Sequence, residues 1–407
     1  MELFDIIAIL ITLSALFGYV NYRFIKLPTT IGLMLISIIM SLSLFILGHL
    51  GLGIEQHWMK LIKSIDFNKT LMVGMLSFLL FAGALHVNIN ELLTHKWKIG
   101  IFSTVGVIIS TILIGVSTYF ILGWIGLNLK LIYCLLFGAL ISPTDPIAVL
   151  SILKNAGAPK SLEVQISGES LFNDGIGVVL FIVLMAMATG EPQMTFSNAL
   201  LLFAEETIGG ITFGLLLGWI AYRILKSIDN YQVEILVTLS VVTGGYALAS
   251  AINLSGPLAI VVAGMIIGNR GRKFAMSEKT RQNLDMFWEL VDDILNSILF
   301  ILIGLELLMI PLSVPYLIVA AISIPVVILS RFVSIGLPLR LLTFKGKYDF
   351  RTLKIMTWGG LRGGIAVALA LSLPRGFEKD VIITMTYIVV VFSILVQGLT
   401  FKYLIKT

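Results

Sequence analysis

The run Gly168-Glu169-Ser170-Leu171-Phe172-Asn173-Asp174-Gly175 lies inside a long apolar stretch. It sets two carboxylates, a hydroxyl and a carboxamide within about one and a half helical turns. An ionised group deep in a bilayer costs about 2.5–3.5 kcal/mol even on lenient insertion scales. Two acids at such depth point to the handling of ions or protons; a polar network that only joins helices is the plainer reading. On a helix, Ser170 and Asp174 stand four apart on one stripe, and Glu169 and Asn173 share the neighbouring stripe.

A second cluster is Ser142-Pro143-Thr144-Asp145-Pro146. Pro146 has no N–H to donate and its ring clashes with a continuing helix; Pro143 repeats the injury one turn earlier. The helix is expected to unwind there, freeing backbone carbonyls and the hydroxyls of Ser142 and Thr144 as hard oxygen ligands, with Asp145 in the gap. Unwound backbone is tolerated at that depth only where it is buried in protein or lines a cavity. A third cluster, Gly359-Gly360-Leu361-Arg362-Gly363-Gly364, surrounds an arginine near mid-span with glycines that permit unwinding and let another backbone approach closely. Arg362 is expected to offset the negative ends of facing half-helices. Arg331, about midway along another apolar run, needs a partner, and Glu169 is the choice. That pair reads as support for the site, which leaves Asp174 free for cation or proton. Glu289, Asp292, Asp293 and Asn296 form either an acidic funnel or a solvated helix end. Glu205, Glu206 and Glu306 read as interfacial.

The elements that must hold these groups are membrane spans. The chain has 407 residues, 58% apolar and only 13% charged, with a mean hydropathy of +1.01; soluble domains carry about 25% charged residues. The net charge of +5 is small and its basic residues fall in loops, so no nucleic-acid partner is expected. Cys134 is the single cysteine, which excludes an internal disulfide and a cysteine zinc site. The histidines His49, His57, His86 and His95 lack helical metal spacing. The acidic start, Met1-Glu2-Leu3-Phe4-Asp5, does not resemble a signal peptide, so the first apolar run is expected to remain.

About thirteen apolar stretches are long enough for a bilayer core of about 30 Å. They cover 3–21, 28–48, 69–88, 98–123, 129–153, 162–189, 198–225, 231–252, 256–269, 284–309, 314–338, 352–372 and 380–404. With the N-terminus outside, 20 of the 28 Lys and Arg residues fall on the inner side and 6 on the outer, Arg331 and Arg362 being within spans. The positive-inside rule then sets the C-terminus in the cytoplasm. An odd count suits two inverted six-helix repeats around a linker span. The interrupted fifth and twelfth helices occupy matching places, the strongest sequence pointer to a transporter site.

With the three clusters together, the chain resembles the NhaP-type branch of the monovalent cation:proton antiporters, essentially over its whole length. The resemblance implies an all-α polytopic membrane protein with crossed, interrupted helices 5 and 12. It implies a homodimer in the prokaryotic cytoplasmic (plasma) membrane. A mobile core domain (98–189 and 314–404) would move against a dimerisation or scaffold domain (1–90 and 198–309). It implies that Asp145 and Asp174 bind the ion, Thr144 and Ser170 add oxygens, Glu169 pairs with Arg331, and Asn173 steadies the site. The metal would be monovalent sodium only, with no transition metal and no cofactor. One departure is Leu80-Phe81-Ala82-Gly83-Ala84-Leu85, where many relatives carry an acid in place of Ala82.

The expected activity is that of a secondary transporter, not an enzyme: sodium, or lithium, exchanges for a proton by alternating access at one carboxylate site. Having Asn173 in place of a second acid favours one-for-one, electroneutral exchange. Potassium/proton exchange is the alternative. A cation channel fits less well, because channels need weak multi-site binding. An intramembrane aspartyl protease would give the prolines beside Asp145, the Glu169–Arg331 pair and the glycine-rich break no task.

Overall fold

The computed structural model describes residues 3–49, 70–146, 149–150, 152–153, 159–189, 196–310, 313–342 and 350–406. His57 and the basic residues of the 50–69 and 343–349 loops lie outside them. Among the described residues every regular element is a helix. Eight helices of the described residues are long and apolar enough to cross a membrane: Phe4–Ile25, Thr29–Leu47, Lys96–Ile125, Lys160–Thr189, Ser197–Leu225, Tyr231–Ala251, Val314–Leu341 and Phe377–Leu404. The remaining apolar stretches are shorter, broken or acidic at one end. They hold Leu76–His86, Leu131–Ile141, Gly256–Ile266, Glu278–Glu306, and the pair Phe350–Trp358 and Gly364–Leu371.

Helix ends follow local chemistry. Asn230 caps Tyr231–Ala251 by accepting from the Gln232 and Val233 N–H groups at 3.1 and 3.4 Å. Ser277 caps Glu278–Glu306 through the Thr280 N–H at 3.3 Å. The tight connection at 252–255 turns on Asn253, which adopts the left-handed region at φ 55°. Ser255 then caps Gly256–Ile266, with Pro257 in the first turn, where its missing N–H costs nothing.

With no hydrophobic drive between spans in lipid, close backbone approach holds helices together. Gly210, Gly214 and Gly218 share one stripe of Phe196–Leu225; Gly210 presses on Ser255 and the other two on Gly256–Ile266, where a Cβ on Gly214 would stand 2.9 Å from Ala259 Cα. A separate apolar cluster gathers Phe81, Ala82, Leu85, Leu284 and Trp288. There the Trp288 ring lies 4.6 Å from Phe81 between centroids and its Nε1 donates to Thr238 Oγ1 at 3.0 Å. Ala82, the position of the missing acid, is buried in that cluster.

Two interruptions shape the centre. Leu131–Ile141 stops after 11 residues and the chain is non-helical at 142–146. Phe350–Trp358 stops after 9, and Gly364–Leu371 resumes for 8. At about 1.5 Å per residue, no such segment crosses the bilayer alone. The two gaps meet: the Asp145 N–H donates to the Leu361 carbonyl at 2.8 Å.

Candidate functional site

The unwound segments would leave backbone groups without partners, and the chain supplies them across long sequence distances. Arg362, buried at 1% exposure, donates from Nη1 to the Ser142 carbonyl and, at 3.0 Å, to the Pro143 carbonyl. These carbonyls end Leu131–Ile141, so the guanidinium neutralises the negative end of that half-helix. Its own backbone N–H donates to Ser393 Oγ at 3.0 Å. Ser393 was not among the expected site residues; its only signal is a hydroxyl in the apolar 380–404 run.

Thr144 is gripped by the Lys160–Thr189 helix. Asn173 accepts from the Thr144 N–H at 3.3 Å and donates to Thr144 Oγ1 at 2.9 Å, while the Ser170 hydroxyl donates to the Thr144 carbonyl. Asn173 and Ser170 are both buried. Glu169, at 1% exposure, meets Arg331 Nη1 at 2.5 Å. That ion pair joins Lys160–Thr189 to Val314–Leu342 out of solvent.

Asp174 differs from all of these. It is half-buried, and among the described residues no hydrogen bond or ion pair reaches its carboxylate. Asp145 is near enough for the two negative charges to interact. The helical stripes thus separate Glu169 and Asn173 from a face on which Ser170 touches Thr144 and Asp174 carries a charge close enough to interact with Asp145. The structure gathers Asp145, Asp174, Ser170, Thr144, Asn173, Glu169, Arg331 and Arg362 around one crossing. The gathered oxygens, two carboxylates and the Thr144 and Ser170 oxygens, are hard donors able to take a monovalent cation or a proton.

The glycines of the second break serve clearance. Gly363 has φ −109°, and Gly126 is the one glycine in the left-handed region among the described residues. A Cβ on Gly363 would stand 2.5 Å from Asp145 Oδ2, and one on Gly360 would stand 2.8 Å from Arg331 Nε. Any side chain at either position invades the site.

Glu206 and Glu306 are buried, at 8% and 6% exposure, whereas Glu205 is exposed. Glu206 sits under the 252–255 turn, its carbonyl accepting the Ser255 N–H at 3.3 Å. Glu306 lies at the end of Glu278–Glu306 within reach of the Lys379 charge.

The sequence pattern of the family described as "Sodium/hydrogen exchanger, transmembrane" matches residues 11–407. The chain is 49% identical over 407 residues to the Na(+)/H(+) antiporter NhaP of Pseudomonas aeruginosa, covering 99% of this chain and 96% of that protein. It is 34% identical over 388 residues to the Na(+)/H(+) antiporter NhaH of Halobacillus dabanensis, covering 94% and 93%. Its fold matches the structure of the sodium proton antiporter MjNhaP1 from Methanocaldococcus jannaschii, with a TM-score of 0.78 at 21% identity over 100% of this chain and 99% of that one.

Proposed function

The chain belongs to the transmembrane sodium/hydrogen exchanger family, and we propose that it is a secondary antiporter exchanging one sodium ion for one proton at a single carboxylate site. The observation that carries this reading is Asp174, a half-buried carboxylate at mid-helix that faces Asp145 and has no protein partner among the described residues. Sodium binds Asp174 and Asp145, with oxygens from Thr144 and Ser170. A proton on Asp174 displaces it, and this competition couples the two fluxes. Glu169 is neutralised by Arg331, and Asn173 carries no charge, so the site exchanges one positive charge for another.

The core, 98–189 and 314–404, carries Asp145, Asp174, Arg331 and Arg362, and moves against the scaffold, 1–90 and 198–309. The chain spans the cytoplasmic membrane about thirteen times as two inverted repeats, with its N-terminus outside and C-terminus inside. The spans least buried within the protomer, Phe4–Ile25 and Ser197–Leu225 at 17% each, belong to the scaffold and offer apolar faces for lipid and a second copy.

Proteoliposomes with an internal pH dye test this reading. Sodium is expected to drive pH recovery at a rate unchanged when valinomycin and potassium set the membrane potential. A rate that follows the potential overturns electroneutrality, and recovery driven by potassium alone reassigns the ion. Below the titration point of the site, the apparent KM for sodium should rise about tenfold for each unit of falling pH, as one proton competes with one cation. A KM independent of pH overturns the shared site.

Gly363→Ala drives a methyl into Asp145. Exchange is expected to fall about a hundredfold, the scale on which an ångström of misplacement costs a reacting group. Wild-type exchange by this variant would mean that the crossing is loose.

A further inference from the structure

The exchange site leaves one polar stripe of the scaffold helix Glu278–Glu306 without a task. Asp292, Asn296 and Leu299 follow at i, i+4 and i+7, on one face. The orientation of that face is fixed by Leu299, whose side chain fills the place where a Cβ on Gly364 would stand. Gly364 adjoins Gly363, against which the Asp145 carboxylate packs. The stripe therefore runs along the crossing, and Asp292 lies about 10 Å along the helix axis from the Leu299 contact.

Burial along the stripe is graded. Glu289 is exposed, Asp292 is half-buried, and Asn296 is 3% exposed. No well-formed hydrogen bond reaches Oδ1 or Nδ2 of Asn296 among the described residues, and its side chain approaches the Asp292 carboxylate on the same stripe. A buried polar group left so costs about 1–3 kcal/mol, and native interiors rarely leave one without a reason. Asp292 is near enough to Asp145 for their charges to interact, in keeping with the Leu299 contact that sets this helix beside the crossing.

We propose that Asp292 and Asn296 form a second binding station for the monovalent cation, between the membrane face at the Glu278 end and the exchange site, with Glu289 at its mouth. The station rests on the antiport reading. It offers a carboxylate and an amide oxygen, hard donors for an alkali ion, with Asp145 as the next carboxylate inward. It stands on the scaffold while the exchange carboxylates stand on the core, so it loads the site and does not travel with the cation. Its loss slows capture at low concentration and spares the rate at saturation.

The experiment is sodium-driven exchange in proteoliposomes with sodium supplied at the Glu278 face, together with sodium-dependent melting of the purified full chain. Asp292→Asn is expected to raise the apparent KM for sodium about tenfold at unchanged kcat, the lower end of what a charged approach contributes to local ion concentration. Asn296→Ala should shift KM in the same direction. A merely structural role would lower kcat and melting temperature together. Sodium should raise the melting temperature of Asp174→Asn, and that shift should vanish in the double variant Asp174→Asn/Asp292→Asn; this readout needs no exchange. Unchanged KM in both single variants, or equal melting shifts with and without Asp292, overturns the station and leaves the antiporter standing. A wild-type protein without cation-driven proton flux overturns the antiport reading and the station with it.

Discussion

Asp174→Asn is expected to reduce sodium-driven proton movement in proteoliposomes to the leak of protein-free vesicles, while the variant purifies and melts like the wild type. Both halves follow from the same geometry. The Asp174 carboxylate has no hydrogen bond or ion pair among the described residues, so an isosteric amide removes no structural contact. The nearby Asp145 repels a second negative charge, and removing one of two facing carboxylates does not destabilise the fold. Asparagine, however, can neither take up a proton nor attract a cation as an anion does, and the competition that couples the fluxes disappears. Asn173→Ala offers the contrast. It breaks both hydrogen bonds to Thr144 and is expected to lower melting temperature as well as exchange. Residual saturable exchange by Asp174→Asn would move the coupling to another acid, with Glu169 first in line.

The breaks were legible because proline and clustered glycine in an apolar run admit few alternatives. The polar stripes were legible because i, i+4 spacing survives any helix packing. The contacts that complete the site join residues far apart in the chain: Arg362 to the carbonyls of Ser142 and Pro143, and Asp145 to Leu361. No local pattern encodes them. The glycines were expected to let another backbone approach, whereas the space at Gly360 and Gly363 is taken by the Arg331 and Asp145 side chains; that clearance depends on the crossing itself. Asn296 was visible as a polar residue on an acidic face, but which way that face turns is set by Leu299 docking on Gly364.

Removing one member of the Glu169–Arg331 pair should damage the fold more than removing both. Each residue is nearly inaccessible, at 1% and 5% exposure, and they meet at 2.5 Å. Breaking such a pair leaves a buried charge uncompensated and costs about 3–5 kcal/mol, a large part of a typical stability of about 5–15 kcal/mol. Arg331→Ala and Glu169→Ala are therefore expected to lose most of their folded yield in detergent. Glu169→Leu/Arg331→Met fills the same space without charge and is expected to melt well above either single variant. The double variant also decides what Glu169 does. As a support, Glu169 is dispensable once Arg331 no longer needs it, and the folded double variant continues to exchange sodium for protons through Asp174. As the ion's carboxylate it is indispensable, and a folded double variant without exchange would transfer the coupling role from Asp174 to Glu169.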